Sequence, residues 1–225
     1  MSLLTCDVCD AHEEQLTSGD LQVLTPGTLQ AFGQKRIFSG RVVTVKVFED
    51  NVLVRSTLEE PGNGRILVVE GGGSLRTALV GGNVAKLAET NGWAGLVIFG
   101  CVRDVDEINE CAVGVRALAP CPVKSKKNGV GEKNVVVTFL GATIRPGDFC
   151  WVDNDGILVS TSVAPTLFIT LLASRHRKNK AMRNYPLCVL CTHLKQFRLL
   201  CLQPWLKSPR VDSMLQTRAY PVPFS

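Results

Sequence analysis

Glycine stops at residue 156. All twenty glycines of the 225-residue chain lie at or before Gly156 and none follows. Tight turns, helix stops and close backbone approaches depend heavily on glycine, so a compact fold is supported only up to about that point. Charge divides at nearly the same place: residues 1–163 carry 15 Lys and Arg against 19 Asp and Glu, whereas residues 164–225 carry 10 against 1. The chain therefore reads as an acidic, glycine-rich body at residues 1–162 and a basic, glycine-free tail at residues 163–225. With 45% apolar residues, the body has ample material for one core.

The tail has no clear periodicity and is expected to be irregular, disordered or non-native. Its stretch "VAPTLFITLLAS" is shorter than the roughly 20 residues a membrane helix needs. The tail reads as the product of a retained intron or a mistaken frame, an idea that a continuous, dominant transcript would overturn. The alternative is a basic arm that attracts phosphate groups of RNA or anionic membranes.

The nine cysteines form an odd set, and "MSLLTCDVCDAHEE" has neither a basic n-region nor a long apolar segment. Free thiols in a reducing cytoplasm are expected. Cys6/Cys9 and Cys188/Cys191 have the local spacing of zinc ligands, but the two pairs are about 180 residues apart, far from the usual separation within one site.

Within the body the apolar period switches between strand and helix. "TCDVCDAHEEQ" predicts a short opening helix, and "IFSGRVVTVKVFED" sets Val43, Val45 and Val47 against Thr44 and Lys46, the pattern of a half-buried strand. "DNVLVRSTLEEPGNG" predicts a helix with Val54 and Leu58 on one face, stopped by Pro61-Gly62. "RILVVEGGG" and "WAGLVIFG" are continuous apolar runs ended by glycine, as in strands covered on both faces. Between them "GGNVAKLAETNG" predicts a helix with Asn83 as N-cap, Val84, Leu87 and Ala88 on one face, and Gly92 at the stop. This strand, helix, strand unit implies a parallel pair with a right-handed crossover. After Glu110 come short strands, "VGVRALA", "NVVVTFL", "ATIR" and "DFCWVDNDGILVS", with turns at Asn128-Gly129, Pro146-Gly147 and Asp155-Gly156. The fold class is α/β: one layered domain with a β-rich second half.

Two places carry chemistry. At Gly81-Gly82-Asn83-Val84 unhindered backbone N–H groups open a helix, where the dipole favours an anion such as a carboxylate; a plain tight turn with a capped helix is the structural alternative. Arg103-Asp104 leaves the carboxyl end of a buried strand, where ligands collect in open α/β sheets. Arg103 offers a fork for a carboxylate or enolate oxygen, and Asp104 a hard ligand for a divalent cation. Their structural alternative is a short helix with acids in its first turn and Arg103 paired to one of them. "EGGGSLRTALVGGN" lacks both the Walker lysine and GxGxxG, "DNDG" reads as a turn rather than a calcium loop, and Lys86 lies among charged helix positions. The body's single histidine, His12, leaves no histidine-based triad or zinc site there.

The series "LVVEGGGSLRTALVGGNVAKLAETNGWAGLVIFGCVRDVDEI", "GVRALA", "GVGE", "VTFLGATIRPGDF" and "VDNDGILVS" resembles the family of regulator of ribonuclease activity A, in particular its plant-type 4-hydroxy-4-methyl-2-oxoglutarate aldolases. The resemblance spans residues from about 4 to 160. It implies a layered β/β/α domain, a homotrimer with active sites at subunit interfaces, and a metal-dependent pyruvate aldolase with secondary oxaloacetate decarboxylase activity. Carried over by position, the substrate-binding backbone falls on Gly81, Gly82, Asn83 and Val84, the substrate arginine on Arg103, and the metal-binding acid on Asp104. One metal carboxylate with several waters suits Mg²⁺ or Mn²⁺. The expected partner is a small 2-keto acid, with no specific nucleic acid and no membrane.

Three departures stand out: Glu70 replaces the usual Asp before the triple glycine, Gly82 occupies a position where some aldolases of the group carry an acid, and the similarity ends soon after Ser160. No general base emerges. The competing reading, from the family's bacterial namesake, is a noncatalytic protein that restrains a ribonuclease or RNA helicase; the acid at Asp104 favours the aldolase.

Overall fold

The computed structural model describes residues 4–161; the expectations for the tail, including Cys188/Cys191 and the apolar stretch at 163–174, lie outside the described residues. The opening helix is present but broken at His12 into α1 (Thr5–Ala11) and α2 (Glu13–Ser18). There follow β1 (Leu21–Val23), β2 (Gln30–Phe32), β3 (Phe38–Lys46), α3 (Val52–Leu58), β4 (Ile66–Glu70), β5 (Ala78–Val80), α4 (Gly82–Thr90), β6 (Gly95–Val102) and α5 (Val105–Glu110). The β-rich half supplies β7 (Gly114–Pro120), β8 (Glu132–Lys133), β9 (Val137–Phe139), β10 (Ala142–Ile144), β11 (Phe149–Val152) and β12 (Ile157–Ser160).

The main sheet runs β1-β12-β11-β3-β4-β6-β7-β2, with β5 added to β6 and β8 to β3. Its centre, β3 through β7, is parallel, and β4 pairs β6 from Ile66↔Gly95 to Glu70↔Phe99. The two continuous apolar runs are therefore the adjacent parallel strands that their patterns predict. Ile66, Leu67, Val68 and Val69 are all fully buried, and the pleat sends them alternately to two cores. Leu67 and Val69 join Val54 and Leu58 of α3 and Val84, Ala85 and Ala88 of α4. Ile66 and Val68 join Phe139, Ala142 and Ile144 of the β9-β10 hairpin and Val152 and Val159 of the antiparallel strands. Helices cover one face and a second β layer the other, which is the β/β/α arrangement.

Several boundaries differ from the sequence reading. The strand β3 is not half-buried, because Val42 through Val45 are all covered and Thr44, at 0% exposure, donates from Oγ1 to the Val135 carbonyl at 2.6 Å. The segment leading into β9 lies over that face, and a hydroxyl that satisfies a backbone carbonyl can be buried there. Helix α3 ends at Leu58, before Pro61-Gly62. The β9-β10 turn falls at Leu140-Gly141, both at positive φ (49° and 78°), the requirement of a two-residue hairpin turn. Asn128-Gly129 closes no hairpin; it belongs to the connection from β7 to β8, whose role emerges at the site. "DNDG" is the turn from β11 to β12, and Asp153 there accepts Asp155 N, Gly156 N, Thr5 N (2.6 Å) and Thr5 Oγ1 (2.7 Å). It thus ties α1 to the sheet. Burial pushes its carboxyl up, but these donors outweigh burial and hold it below the usual range.

Candidate active site

The site is assembled by strand register. Strand β5 pairs parallel with the end of β6, Val80 opposite Val102, and Arg103 N donates to Val80 O at 2.9 Å. The residues that follow each strand, Gly81 and Arg103, are therefore neighbours. The three-residue β5 lies inside the glycine-rich segment, too short to show a period.

Helix α4 begins two residues earlier than predicted. Gly81, with φ −126° and ψ −177°, is the N-cap; Asn83 lies in the first turn and makes no capping hydrogen bond. The correction has a steric cause. A Cβ on Gly81 would lie 2.7 Å from Asp104 Oδ2 and 3.1 Å from Arg103 Cγ, and one on Gly82 would collide with the Glu107 side chain. Only glycine admits two carboxylates this close to the helix opening, so the cap position goes to Gly81 and its extended backbone. Val84 N and Ala85 N both donate to Gly81 O at 3.0 Å. The first-turn amides of Gly82 and Asn83 have no carbonyl four residues back to reach, the general condition under which a helix opening offers donors to an anion.

Asp104 is the N-cap of α5 in the left-handed region, φ 54° and ψ 50°, and its side chain makes no capping bond. The Ile108 N bond to Asp104 O (3.0 Å) holds that backbone. A non-glycine residue in this region is strained, and such strain concentrates at functional sites. The carboxylate is turned instead to Arg103, whose Nε donates to Asp104 Oδ2 at 3.0 Å. Both side chains are partly open, at 28% and 32%. Asp106 and Glu107 do occupy the first turn of α5, so the structural alternative describes the local geometry correctly while leaving the strain at Asp104 unexplained.

A cleft of about 160 Å³ opens here, lined by Gly81, Asn83, Val84, Arg103 and Asp104 together with Asn51, Arg55, Lys124 and Lys127. Five of the six predicted site residues line it; the sixth, Gly82, is buried against Glu107. Glu70 turns back so that its Oε1 accepts Gly72 N at 2.9 Å and is not part of the lining. Lys86 forms a surface pair with Glu89 at 2.6 Å, as its charged setting implies. Asn51, Arg55 and the two lysines were missed in the sequence. The lysines' one signal is "CPVKSKKNG", a basic run directly after a strand whose carboxyl end faces the same way as β6.

That run is anchored by Asp50. Its carboxylate, 2% exposed, accepts Val52 N on Oδ1 (2.9 Å) and Asn128 N and Gly129 N on Oδ2 (2.5 and 2.9 Å). Burial pushes the carboxyl up, but the backbone donors win and hold it below the usual carboxylate range. Ala78 N to Val123 O (2.9 Å) and Lys126 N to Glu49 O (2.8 Å) stitch the strap to its neighbours.

A cleft of similar volume lies beside the β11-β12 turn and includes Arg116. That guanidinium is committed to the carbonyls of Arg36 and Asp153, 2.9 Å each, and serves the fold. The six described cysteines are free. Burial raises Cys9, Cys101, Cys111 and Cys150, and the charge of Asp155 is the main cause raising Cys6, so these five are not activated as thiolate nucleophiles.

A central parallel sheet with helices on one face and a β layer on the other, holding an arginine and an acid against a glycine-opened helix, defines the class. A family profile described as "RraA-like: Aldolase/RraA" matches residues 5–159, and the chain belongs to that family. It is 57% identical over 162 residues to a protein of Paraburkholderia phymatum named "Putative 4-hydroxy-4-methyl-2-oxoglutarate aldolase", covering 72% of this chain and 98% of that one. A similarly named Arabidopsis thaliana protein is 57% identical over 156 residues, covering 69% and 93%. Among solved structures, the RNA-processing inhibitor RraA from Thermus thermophilis superposes with a TM-score of 0.67 at 45% identity, covering 73% of this chain and 98% of that one. The names of the curated relatives support an aldolase activity. Among the described residues no helix is long and apolar enough to cross a membrane.

Proposed function

We propose that this protein is a divalent-metal-dependent lyase that cleaves 4-hydroxy-4-methyl-2-oxoglutarate to two pyruvates and decarboxylates oxaloacetate through the same pyruvate enolate. One observation carries the reading: Arg103, Asp104 and the opening of α4 converge on a single cleft, with the acid held in a strained backbone. In both reactions a bond to C3 of the 2-keto acid breaks and negative charge grows on the keto oxygen, so preplaced cations and donors lower the barrier. The backbone that opens α4, Gly81 to Val84, grips the keto-acid carboxylate, and Val84 supplies an apolar wall. Arg103 directs its guanidinium at the oxygen on which the enolate charge develops, a role suited to a planar fork.

Asp104 would hold the metal. Arg103 takes only its Oδ2, leaving Oδ1 without a protein partner, and among the described residues no group of three or more His, Cys, Asp and Glu surrounds a common point. A lone carboxylate that leaves a cation most of its waters suits Mg²⁺ or Mn²⁺. When bound there, such an ion supplies Lewis-acid stabilisation of the enolate charge.

The proposal extends to a catalytic domain at residues 1–162, a cytoplasmic setting in keeping with the free thiols, and a homotrimer acting on a small 2-keto acid without nucleic acid or membrane. The test is pyruvate release from both substrates, with Mg²⁺ and with chelator, for the wild type and for Arg103→Ala. Loss of turnover in a folded Arg103→Ala supports the reading, whereas an unchanged rate removes Arg103 from the mechanism. The likeness to an RNA-processing inhibitor favours a second reading, restraint of a ribonuclease or RNA helicase. It takes the lead if the folded wild type turns over neither substrate.

A further inference from the structure

We propose that the strap between β7 and β8 is the specificity element of the cleft: Lys124 and Lys127 grip a second, distal carboxylate, so the site selects dicarboxylic 4-hydroxy-2-oxo acids over monocarboxylic ones. This inference rests on the aldolase reading and names the substrate class that the cleft prefers.

The charge inventory points to it. The lining contains four cationic side chains, Arg55, Arg103, Lys124 and Lys127, and one carboxylate, Asp104. Two of the cations are already paired: Arg55 with Glu59 at 3.1 Å and Arg103 with Asp104 at 3.0 Å. Lys124 and Lys127 form no ion pair among the described residues. Lys126, between them, does not line the cleft, and its backbone N donates to Glu49 O at 2.8 Å. The strap therefore places two of its three lysines at the cleft with no carboxylate among the described residues paired to them. A keto acid bound through Arg103 and the α4 amides satisfies the inner half of the cleft; the surplus positive charge at the strap is matched by a ligand that is anionic at its far end too.

The strap is also built to hold those charges still. Asp50 fixes its backbone from below through Asn128 and Gly129, and Ala78 N to Val123 O fixes its start. Lysines on a fixed backbone lose less freedom on binding than lysines on a loose loop, which raises their value to the ligand.

The reaction itself separates the two substrates of the proposed activity. In aldol cleavage the C4 hydroxyl loses its proton, its O–H pair forms the new C4=O bond, and the C3–C4 pair becomes the enolate, which is then protonated at C3. The distal carboxylate keeps its charge throughout, so lysines bound to it stabilise ground state and transition state alike and act mainly on KM. In oxaloacetate the distal carboxylate is the group that leaves as CO₂. Cations paired to it stabilise a charge that must disappear, and they oppose that reaction.

The experiment compares the full-length wild type, Lys124→Met, Lys127→Met and the double variant, each with Mg²⁺. The substrates are 4-hydroxy-4-methyl-2-oxoglutarate and 4-hydroxy-4-methyl-2-oxopentanoate, in which a methyl group replaces the distal carboxylate and cleavage gives pyruvate and acetone. Each charge-assisted contact is worth roughly tenfold. The wild type is expected to prefer the diacid by about 100-fold in kcat/KM, and the double variant to reduce that ratio to within about threefold of unity, chiefly through KM for the diacid. The ratio of diacid cleavage to oxaloacetate decarboxylation falls with it. A wild type without preference, or a double variant that keeps the wild-type ratio, overturns the proposal, as does an equal loss on both aldol substrates, the mark of a merely structural role. Pyruvate from neither substrate in the wild type overturns the aldolase reading itself, and this inference with it.

Discussion

Asp50→Asn is the perturbation that most sharply tests the physical account of the strap. The buried carboxylate accepts the N–H of Val52 on Oδ1 and those of Asn128 and Gly129 on Oδ2. An asparagine keeps one oxygen, which can serve Val52 N or the Asn128-Gly129 pair but not both, and its NH₂ then faces amide donors. With the oxygen kept on Val52, two charge-assisted bonds are lost at about 1.5–3 kcal/mol each, for a total cost of roughly 3–6 kcal/mol. In urea, at a slope of about 1–3 kcal/mol per molar, the midpoint falls by more than 1 M at pH 7. The pH dependence gives an independent check. The folded carboxyl sits below its unfolded value, so the stabilisation is fully present above the unfolded carboxylate range near pH 4 and is lost as pH falls through the lowered folded value. The gap between wild type and variant therefore narrows from pH 6 toward pH 3. A gap under about 1 kcal/mol at pH 7, or one that stays constant with pH, refutes the reasoning. The same variant, assayed at low temperature where it remains folded, loses diacid turnover as the strap loosens.

Asp104→Gly should separate stability from activity. It relieves a left-handed residue, raising the thermal midpoint by an amount equivalent to about 1 kcal/mol, while magnesium-dependent pyruvate release falls by about 100-fold or more; a lower midpoint would show that the carboxylate stabilises the fold. Gly82→Ala should cost about 1–3 kcal/mol because its methyl meets the Glu107 side chain, and Glu107→Ala should recover most of that in the double variant. Additive effects in a urea-unfolding cycle would show that the two positions do not touch.

The parallel core was legible because β4 and β6 are continuous apolar runs, a pattern that arises only when both faces are covered. The same logic misjudged β3. Its alternation is real, but Thr44 satisfies its hydroxyl on Val135 O, so a polar residue signalled exposure where burial was possible. Of the site, Arg103, Asp104 and the opening of α4 were visible as residue types at strand and helix ends. What joins them, the register of β5 on β6, was hidden in three residues among glycines. The strap was less legible still, because Asp50 meets Asn128 across 78 positions, and no local pattern connects a buried acid to a lysine run that far away. The tail has no part in this comparison, lying outside the described residues.

The same spacing bears on how the site comes together during folding. The bond from Arg103 N to Val80 O closes a loop of about two dozen residues that already contains α4, so the inner half of the cleft can form from a contiguous piece of chain. The strap must wait for the encounter of Asp50 with Asn128, and the tie of α1 for Thr5 to meet Asp153 across 148 positions. Loop-closure entropy puts the strap about 1 kcal/mol behind the inner half, before counting the sheet that must lie between. The amides proposed to hold the substrate carboxylate thus arrive early and the lysines proposed to select it late, so a change in the strap is expected to alter substrate choice with little effect on the formation of the inner half.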